Sequence, residues 1–126
     1  MTKGYLSLVL HAHLPYVRHP EFEEYLEEKW FFEAMAETYI PLVDMFDRLV
    51  DDNIPFCITM TLTPTLLSMM DDQLLRERFL SYLYKLMELS EKEVQRTKNM
   101  YQVSEVTKMY RDKLKRILHI YRDKYH

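Results

Sequence analysis

The sequence contains very little glycine and cysteine. Gly4 is the single glycine and Cys57 the single cysteine among 126 residues. Tight turns that need a positive φ are therefore scarce, which favours helices joined by short connections. No intramolecular disulfide can form, and this fits a reducing compartment, so we expect a cytoplasmic protein.

Long apolar runs are also missing. No run approaches the ~20 apolar residues that a membrane-spanning helix needs. The first one, from Tyr5 to Leu10, is broken at once by His11 and His13, so we expect neither a signal peptide nor a membrane partner. Hydrophobic residues make up 48% of the chain and charged residues 29%, which is typical of a soluble globular domain.

Positive charge is scarce in the first half of the chain. Residues 1–63 carry 4 Lys and Arg against 11 Asp and Glu, whereas residues 64–126 carry 13 against 9. The most basic stretch, 108–126, interleaves tyrosines with Lys and Arg, which raises the alternative of a nucleic-acid surface. Because its Tyr and Leu residues follow helical spacing, we interpret it as a solvated helix face and expect no nucleic-acid partner.

The apolar pattern predicts a strand, a helix and a second strand. Strands are predicted over residues 4–10 and 56–62 from their β-branched and apolar content, the first as a strand buried on both faces. Residues 30–52 carry apolar side chains at three- and four-residue steps and predict a helix, which Pro41 kinks or divides. This order is typical of a βαβ unit with parallel strands.

Only helix is predicted after the second strand. Asp71 or Asp72 can cap one helix, and a last helical pattern extends from Val103 to Tyr125. Two strands alone do not make a stable parallel sheet, and the chain ends on a helical pattern. We therefore expect it to be the beginning of a larger fold, with apolar strand edges and helix faces that need covering.

A His-x-His pair follows the first predicted strand. Residues two apart in a strand point to one face, so His11 and His13 can converge at the strand end where parallel α/β folds bind ligands. Spacing leaves three interpretations open. The first is a pair of buried histidines that hydrogen-bond to the backbone. The second is a zinc site, although the spacing singles out neither His19 nor any carboxylate as a further ligand. The third is sugar recognition, with Tyr16 and Trp30 packed against the pyranose.

A longer string resembles glycoside hydrolase family 57, and most of all its α-1,4-glucan branching enzymes. The family's first motif stands here as His11-Ala12-His13-Leu14-Pro15-Tyr16. Residues 27–34, 37–42, 62–64 and 76–93 also match, and the resemblance covers nearly the whole chain, more loosely beyond about residue 100.

The resemblance implies a fold and a chemistry. The fold is α/β: residues 1–126 would form the first β-α-β portion of a distorted (β/α)7 barrel, followed by helices, with strands at 5–13 and 56–62. The reaction is retaining, through a carboxylate nucleophile and a carboxylate acid/base, and needs no metal or other cofactor. Branching members cleave an α-1,4 bond and pass the glucan to a 6-hydroxyl, as glycogen biosynthesis requires.

The resemblance assigns substrate-binding rather than catalytic residues to this chain. His11 matches the active-site histidine beside the sugar at the cleavage point, and His13 belongs to the same motif. Tyr16 ends that motif, and Trp30 matches an aromatic position near the glucan path. The catalytic carboxylates lie in later motifs, beyond residue 126, and we interpret Glu33 and Glu37 as a solvated or salt-bridged face.

We therefore expect a fragment of an enzyme that acts on α-1,4-glucan such as amylose, glycogen or maltooligosaccharide. Its partner would be the remainder of the barrel, as a second chain, or another copy of itself. One alternative is a non-catalytic glucan-binding or regulatory protein. A second is a metal-dependent hydrolase that uses the His11 and His13 pair.

Overall fold

The computed structural model describes residues 3–124. Within them, strands β1 (Val9–Ala12) and β2 (Thr59–Leu62) form a two-stranded parallel sheet. The helices are α1 (Leu26–Ala34), α2 (Ile40–Asp51), α3 (Pro64–Asp71), α4 (Gln73–Thr97) and α5 (Tyr101–His119), and π-helical segments at Met35–Tyr39 and Ile120–Lys124 follow α1 and α5. The predicted strand–helix–strand order and the parallel pairing are confirmed, while Tyr125 lies outside the described residues.

Both strands are shorter than the predictions over 4–10, 5–13 and 56–62. Tyr5 and Leu6 are 97% and 95% exposed, and Val9 within β1 is 60% exposed, so the prediction of a strand buried on both faces is wrong. The reason is that β1 pairs with β2 alone among residues 3–124. Before β2, the ring of Phe56 stacks on Phe46 of α2, with the ring centroids 5.2 Å apart.

The long predicted helix begins earlier and continues through Pro41. Helix α1 starts at Leu26, where Glu27 and Glu28 occupy the first turn and suit the positive end of the helix dipole. The π-helical segment Met35–Tyr39 comes immediately before Pro41. A π-helical turn widens the backbone spiral, which gives room to a proline ring that would otherwise clash with the preceding turn.

Helix was predicted after the second strand, but no start was assigned to α3, because Pro64 also fits the end of a strand. Pro64 instead occupies the first turn of α3, and the Thr63 hydroxyl accepts a hydrogen bond from the Leu66 amide at 3.4 Å. Proline is suited to this position because no intrahelical donor is needed there. The predicted cap at Asp72 is confirmed, since its carboxylate accepts from the Leu75 amide at 3.0 Å and begins α4.

The hydrophobic core lies between the helices rather than on the sheet. Its most deeply buried large side chains come from α1, α3 and α4: Phe31, Leu66, Met69, Leu75, Phe79 and Leu83. Tyr121 packs its ring edge-on against Phe79 at a centroid distance of 4.8 Å, and Ala12 joins the core from β1. None of the helices in the described part of the chain is long and apolar enough to cross a membrane.

The uneven charge of the two halves has a structural counterpart in ion pairs that join them. Acidic residues of the first half pair with basic residues of the second: Glu24 with Lys85, Glu28 with Arg78, Asp44 with Arg116, and Asp47 with Lys124. Six of the seven basic residues in 108–126 form ion pairs. The basic stretch is thus partly a contact surface for acidic side chains, and not only the solvated face that was predicted.

Glu28 is the most deeply buried of these charged residues, with 1% exposure. Its two oxygens lie 2.6 and 2.8 Å from Nη1 of Arg78 on α4. The amide of His19 donates to the same carboxylate at 3.0 Å. Arg78 also donates to the carbonyl oxygens of His19 and Phe22. One buried ion pair therefore joins α1, α4 and the loop that follows β1.

Removing one partner of this pair should be strongly destabilising. Arg78→Met keeps a long side chain but leaves the Glu28 carboxylate buried without its cation, at a cost of about 3–5 kcal/mol in the free energy of unfolding. Arg96→Met is the matched control on the same helix, because Arg96 pairs with Glu93 at the exposed surface, where such pairs contribute about 1 kcal/mol or less. Urea unfolding of both variants measures the difference, and equal losses would contradict the structural role of Arg78.

The ion pair between Asp44 and Arg116 should make stability depend on pH. Asp44 is nearly buried on α2, and the hydrogen bonds that it accepts from Arg116, at 2.8 and 2.9 Å, lower its pKa. The stabilisation is fully present above the ordinary aspartate pKa of about 3.9 and is lost as the pH falls through the lower folded value. Asp44→Asn should therefore be less stable than the parent at pH 7, with the gap closing below about pH 4.

Urea titrations at several pH values test this expectation. Arg116→Met should reproduce the same closing gap, because it removes the other half of the pair. A difference in stability that is constant between pH 7 and pH 3 would show that the carboxylate charge of Asp44 is not the cause.

Candidate functional site

The histidine pair lies at the carboxyl end of the parallel sheet. In the register of the two strands, His11 is opposite Thr61, and Ala12 opposite Leu62 forms the last pair. His13 follows directly after β1 ends. Both histidines are exposed, so the interpretation as buried histidines bonded to backbone is wrong.

The two imidazole rings are held in a defined arrangement. Nδ1 of His11 lies 2.5 Å from Oγ1 of Thr61 on the neighbouring strand. The rings of His11 and His13 stack with their centroids 5.1 Å apart and their planes 28° apart. Among the described residues, Nε2 of His11 has no hydrogen-bond partner. This nitrogen can therefore donate to, or accept from, a ligand that approaches the strand ends.

The other two candidate residues are exposed but do not touch the histidines. Tyr16 is 57% exposed in the loop after β1, and Trp30 is 49% exposed on α1. Within residues 3–124 neither of them makes a ring contact or hydrogen bond with His11 or His13. The structure thus brings the two histidines together. It leaves both aromatic side chains accessible but places neither of them in contact with the histidines.

The loop that carries Tyr16 is fixed at several points beyond it. Val17 is 1% exposed and its amide donates to the sulfur of Met69 at 3.4 Å. Arg18 donates to the carboxylate of Asp72 at 2.6 Å. His19 is held by the bond from its amide to Glu28. The loop is therefore anchored to α3 by Met69, to the start of α4 by Asp72 and to α1 by the buried carboxylate of Glu28.

Two carboxylates surround the ring of His19. Nδ1 of His19 lies 3.1 Å from Oε1 of Glu21, and Nε2 lies 3.4 Å from Oε2 of Glu27. The hydrogen bond with Glu21, followed by that with Glu27, raises the pKa of His19 against the opposing effect of burial. This histidine thus acts as a partner of the acidic stretch 21–28, and not as a third member of the His11 and His13 pair.

Metal ligands do not gather at the histidine pair. Across residues 3–124, no group of three or more His, Cys, Asp or Glu side chains is placed to hold a metal ion. No carboxylate in that range is hydrogen-bonded to His11 or His13. The arrangement offers polar ring nitrogens that can bind hydroxyl groups, without a described acid/base partner beside them.

Two cavities lie elsewhere, between the helices. The larger, of about 380 Å³, is bounded by α1, α4 and the loop before α1, and none of the four candidate residues lines it. The smaller, of about 210 Å³, has Glu33 and Glu37 at its edge. Both carboxylates are exposed, as predicted, and they add to the burial that raises the pKa of Tyr82.

Sequence reasoning missed Thr61 and the pair of Glu28 with Arg78. Thr61 belongs to the predicted second strand, but its role depends on the register that sets it opposite His11. Aligning the carboxyl ends of the predicted strands 4–10 and 56–62 would have set Thr61 opposite Val9, so the contact with His11 could be found only from the observed register. No local signal distinguishes Glu28 from the other glutamates of the acidic stretch, because its partner lies 50 residues further along the chain.

The pattern of the family described as Glycosyl hydrolase family 57 matches residues 7–125. Among characterised proteins, the chain is similar to a 1,4-alpha-glucan branching enzyme of Thermococcus kodakarensis. The two are 40% identical over 93 residues, which are 73% of this chain and 14% of the branching enzyme.

Solved structures of related enzymes also superpose on nearly the whole chain. The alpha-amylase AmyC from Thermotoga maritima superposes with a TM-score of 0.89 and 43% identity, over 96% of this chain and 23% of that one. A GH57-type branching enzyme from Pyrococcus horikoshii superposes with a TM-score of 0.86 and 31% identity, over 95% of this chain and 22% of that one. The chain thus spans less than a quarter of the length of these relatives.

Proposed function

Because this chain belongs to glycosyl hydrolase family 57, we propose that it forms the first part of an α-glucan-active enzyme and contributes one wall of the sugar site. The observation that carries the proposal is the exposed pair of His11 and His13 at the carboxyl end of the parallel strands. Ligands of parallel α/β folds bind at this end. The relatives are named as a branching enzyme and an alpha-amylase, and both kinds of enzyme act on α-1,4-glucan.

In this proposal, each candidate residue contacts a different part of the glucan. Nε2 of His11 hydrogen-bonds a hydroxyl of the sugar at the cleavage point. The imidazole of His13 stacks on the imidazole of His11 and supports its orientation. Tyr16 and Trp30, both about half exposed, offer aromatic faces along the glucan chain. An aromatic face packs well against the C–H groups of a pyranose because both surfaces are apolar.

The reacting carboxylates are proposed to come from residues outside this chain. A retaining glycosidase needs a carboxylate nucleophile and a second carboxylate as acid/base, about 5–5.5 Å apart across the scissile bond. Glu33 and Glu37 border the small cavity between the helices rather than the histidine pair. We therefore assign residues 1–126 to substrate binding, within a distorted (β/α)7 barrel completed by further strands from a longer polypeptide or a second chain.

The location and the reaction type are further parts of the proposal. A cytoplasmic protein is supported by the single cysteine, Cys57, and by the storage glucans that branching enzymes process. Transfer to a 6-hydroxyl is proposed from the matches to the branching enzymes of Thermococcus kodakarensis and Pyrococcus horikoshii, with hydrolysis as the alternative, because an alpha-amylase matches at 43% identity.

A non-catalytic glucan-binding protein is the alternative: it would use the exposed Tyr16 and Trp30 and would need no carboxylate beside the histidines. It shares the binding site and differs in acting alone. The two candidates separate when the 126-residue chain is compared with a polypeptide that contains the rest of the barrel. Only the completed enzyme should form α-1,6 linkages from amylose.

We expect the purified chain to bind maltoheptaose through His11 and to make no α-1,6 linkages from amylose. His11→Ala should weaken binding about tenfold, because it removes one hydrogen bond and leaves the sugar hydroxyl without a partner. His119→Ala is the matched control, since His119 is exposed on α5 and pairs with Asp123. Titration followed by NMR measures the affinities. Equal affinity of His11→Ala and the parent would contradict the proposed site, and branching by the isolated chain would contradict the proposed origin of the carboxylates.

A further inference from the structure

The contact between β1 and β2 at the histidine pair involves a residue that neither the motif nor the resemblance assigns. Oγ1 of Thr61 lies 2.5 Å from Nδ1 of His11, and the two residues are opposite each other in the parallel register. Both side chains are exposed at the strand ends. Thr61 therefore reaches the imidazole from the neighbouring strand at Nδ1, and leaves Nε2 without a hydrogen-bond partner among the described residues.

We infer that Thr61 is a positioning residue for His11: its hydroxyl donates to Nδ1 and thereby keeps the proton of the neutral ring on Nε2. This inference rests on the proposed function only for its consequence, which is that Nε2–H donates to a sugar hydroxyl. The hydrogen bond that one ring nitrogen makes decides which nitrogen carries the proton. A hydroxyl can donate as well as accept, and among the described residues the Thr61 hydroxyl has no other partner.

The stacked ring of His13 completes the arrangement. It covers one face of the His11 ring, with the two ring centroids 5.1 Å apart. Rotation of the His11 imidazole is therefore opposed by the stacked ring on one face and by the Thr61 hydrogen bond at its edge. A histidine held in this way presents one donor in one direction. Without the hydroxyl, both neutral tautomers and more than one ring orientation become accessible, and a fraction of the molecules would present a lone pair at Nε2 in place of the donor.

The chain offers a matched control on the same strand. Thr59 lies on the same face of β2, two residues before Thr61, and is opposite Val9, whose side chain has no hydrogen-bonding group. Thr59→Val and Thr61→Val remove the same atom from neighbouring, exposed positions. Valine is β-branched and suits a strand as well as threonine does, so both variants should keep the fold. Thr61→Ser retains the hydroxyl and should retain the function.

The test is the ¹⁵N NMR spectrum of the His11 ring at about pH 8, where histidine is neutral, recorded without glucan. In the parent and in Thr61→Ser, Nδ1 should show the shift of an unprotonated nitrogen and Nε2 that of a protonated one. In Thr61→Val the two shifts should move toward each other as the tautomers mix, and Thr59→Val should match the parent. A protonated Nδ1 in the parent, or identical spectra for Thr61→Val and the parent, would overturn the inference.

Maltoheptaose titration of the same samples separates this inference from the proposed function. Thr61→Val should weaken binding about three- to tenfold, as the loss of one hydrogen bond does, while Thr61→Ser stays within about twofold and Thr59→Val equals the parent. If the spectra behave as expected and His11→Ala binds maltoheptaose as tightly as the parent, the proposed function fails and the positioning role stands. If binding depends on His11 but not on the Thr61 hydroxyl, the positioning role fails alone.

Discussion

The buried carboxylate of Glu28 constrains more of the structure than any other single group. A charge with 1% exposure is tolerated only when a cation and further hydrogen bonds replace its lost water. Arg78 and the amide of His19 supply these, and Arg78 in turn binds the carbonyl oxygens of His19 and Phe22. The loop after β1, the start of α1 and the second turn of α4 are therefore held together by one ion pair.

This constraint links the helical core to the strand ends. The sheet is too small to define its own geometry, since it has four residues in each strand. The loop from His13 to Tyr25 leaves β1 and is held by Val17, Arg18 and His19 against helices that are themselves well packed. The position at which His11 and His13 emerge is thus set from both sides, by the pairing with β2 and by the anchored loop.

Local patterns predicted the elements whose cause is local. Parallel pairing followed from two apolar, β-branched runs separated by a helix, and the Asp72 cap followed from a carboxylate before an apolar periodic segment. The start of α3 was not assigned because Pro64 fits both a strand end and a helix start, and the Thr63 hydroxyl decides between them. The strands were predicted too long because apolar content alone does not show where pairing stops.

The parts of the site that were not predicted depend on contacts between distant residues. The family motif indicated His11, His13, Tyr16 and Trp30, but not that the two aromatic side chains would lie apart from the histidines. Thr61 meets His11 through the register of two strands that are 50 residues apart. Burial of Glu28 depends on Arg78 at the same separation, and the uneven charge of the two halves of the chain did not identify which residues pair.

Hydrogen exchange at the His19 amide tests most directly whether the buried ion pair holds the loop in place. This amide donates to Glu28 from within a loop, where amides ordinarily exchange fast. We predict protection comparable to that of the buried turns of α1 and α4, and its loss in Arg78→Met. An unprotected His19 amide beside protected helices would contradict the account, because the loop would then open independently of the core.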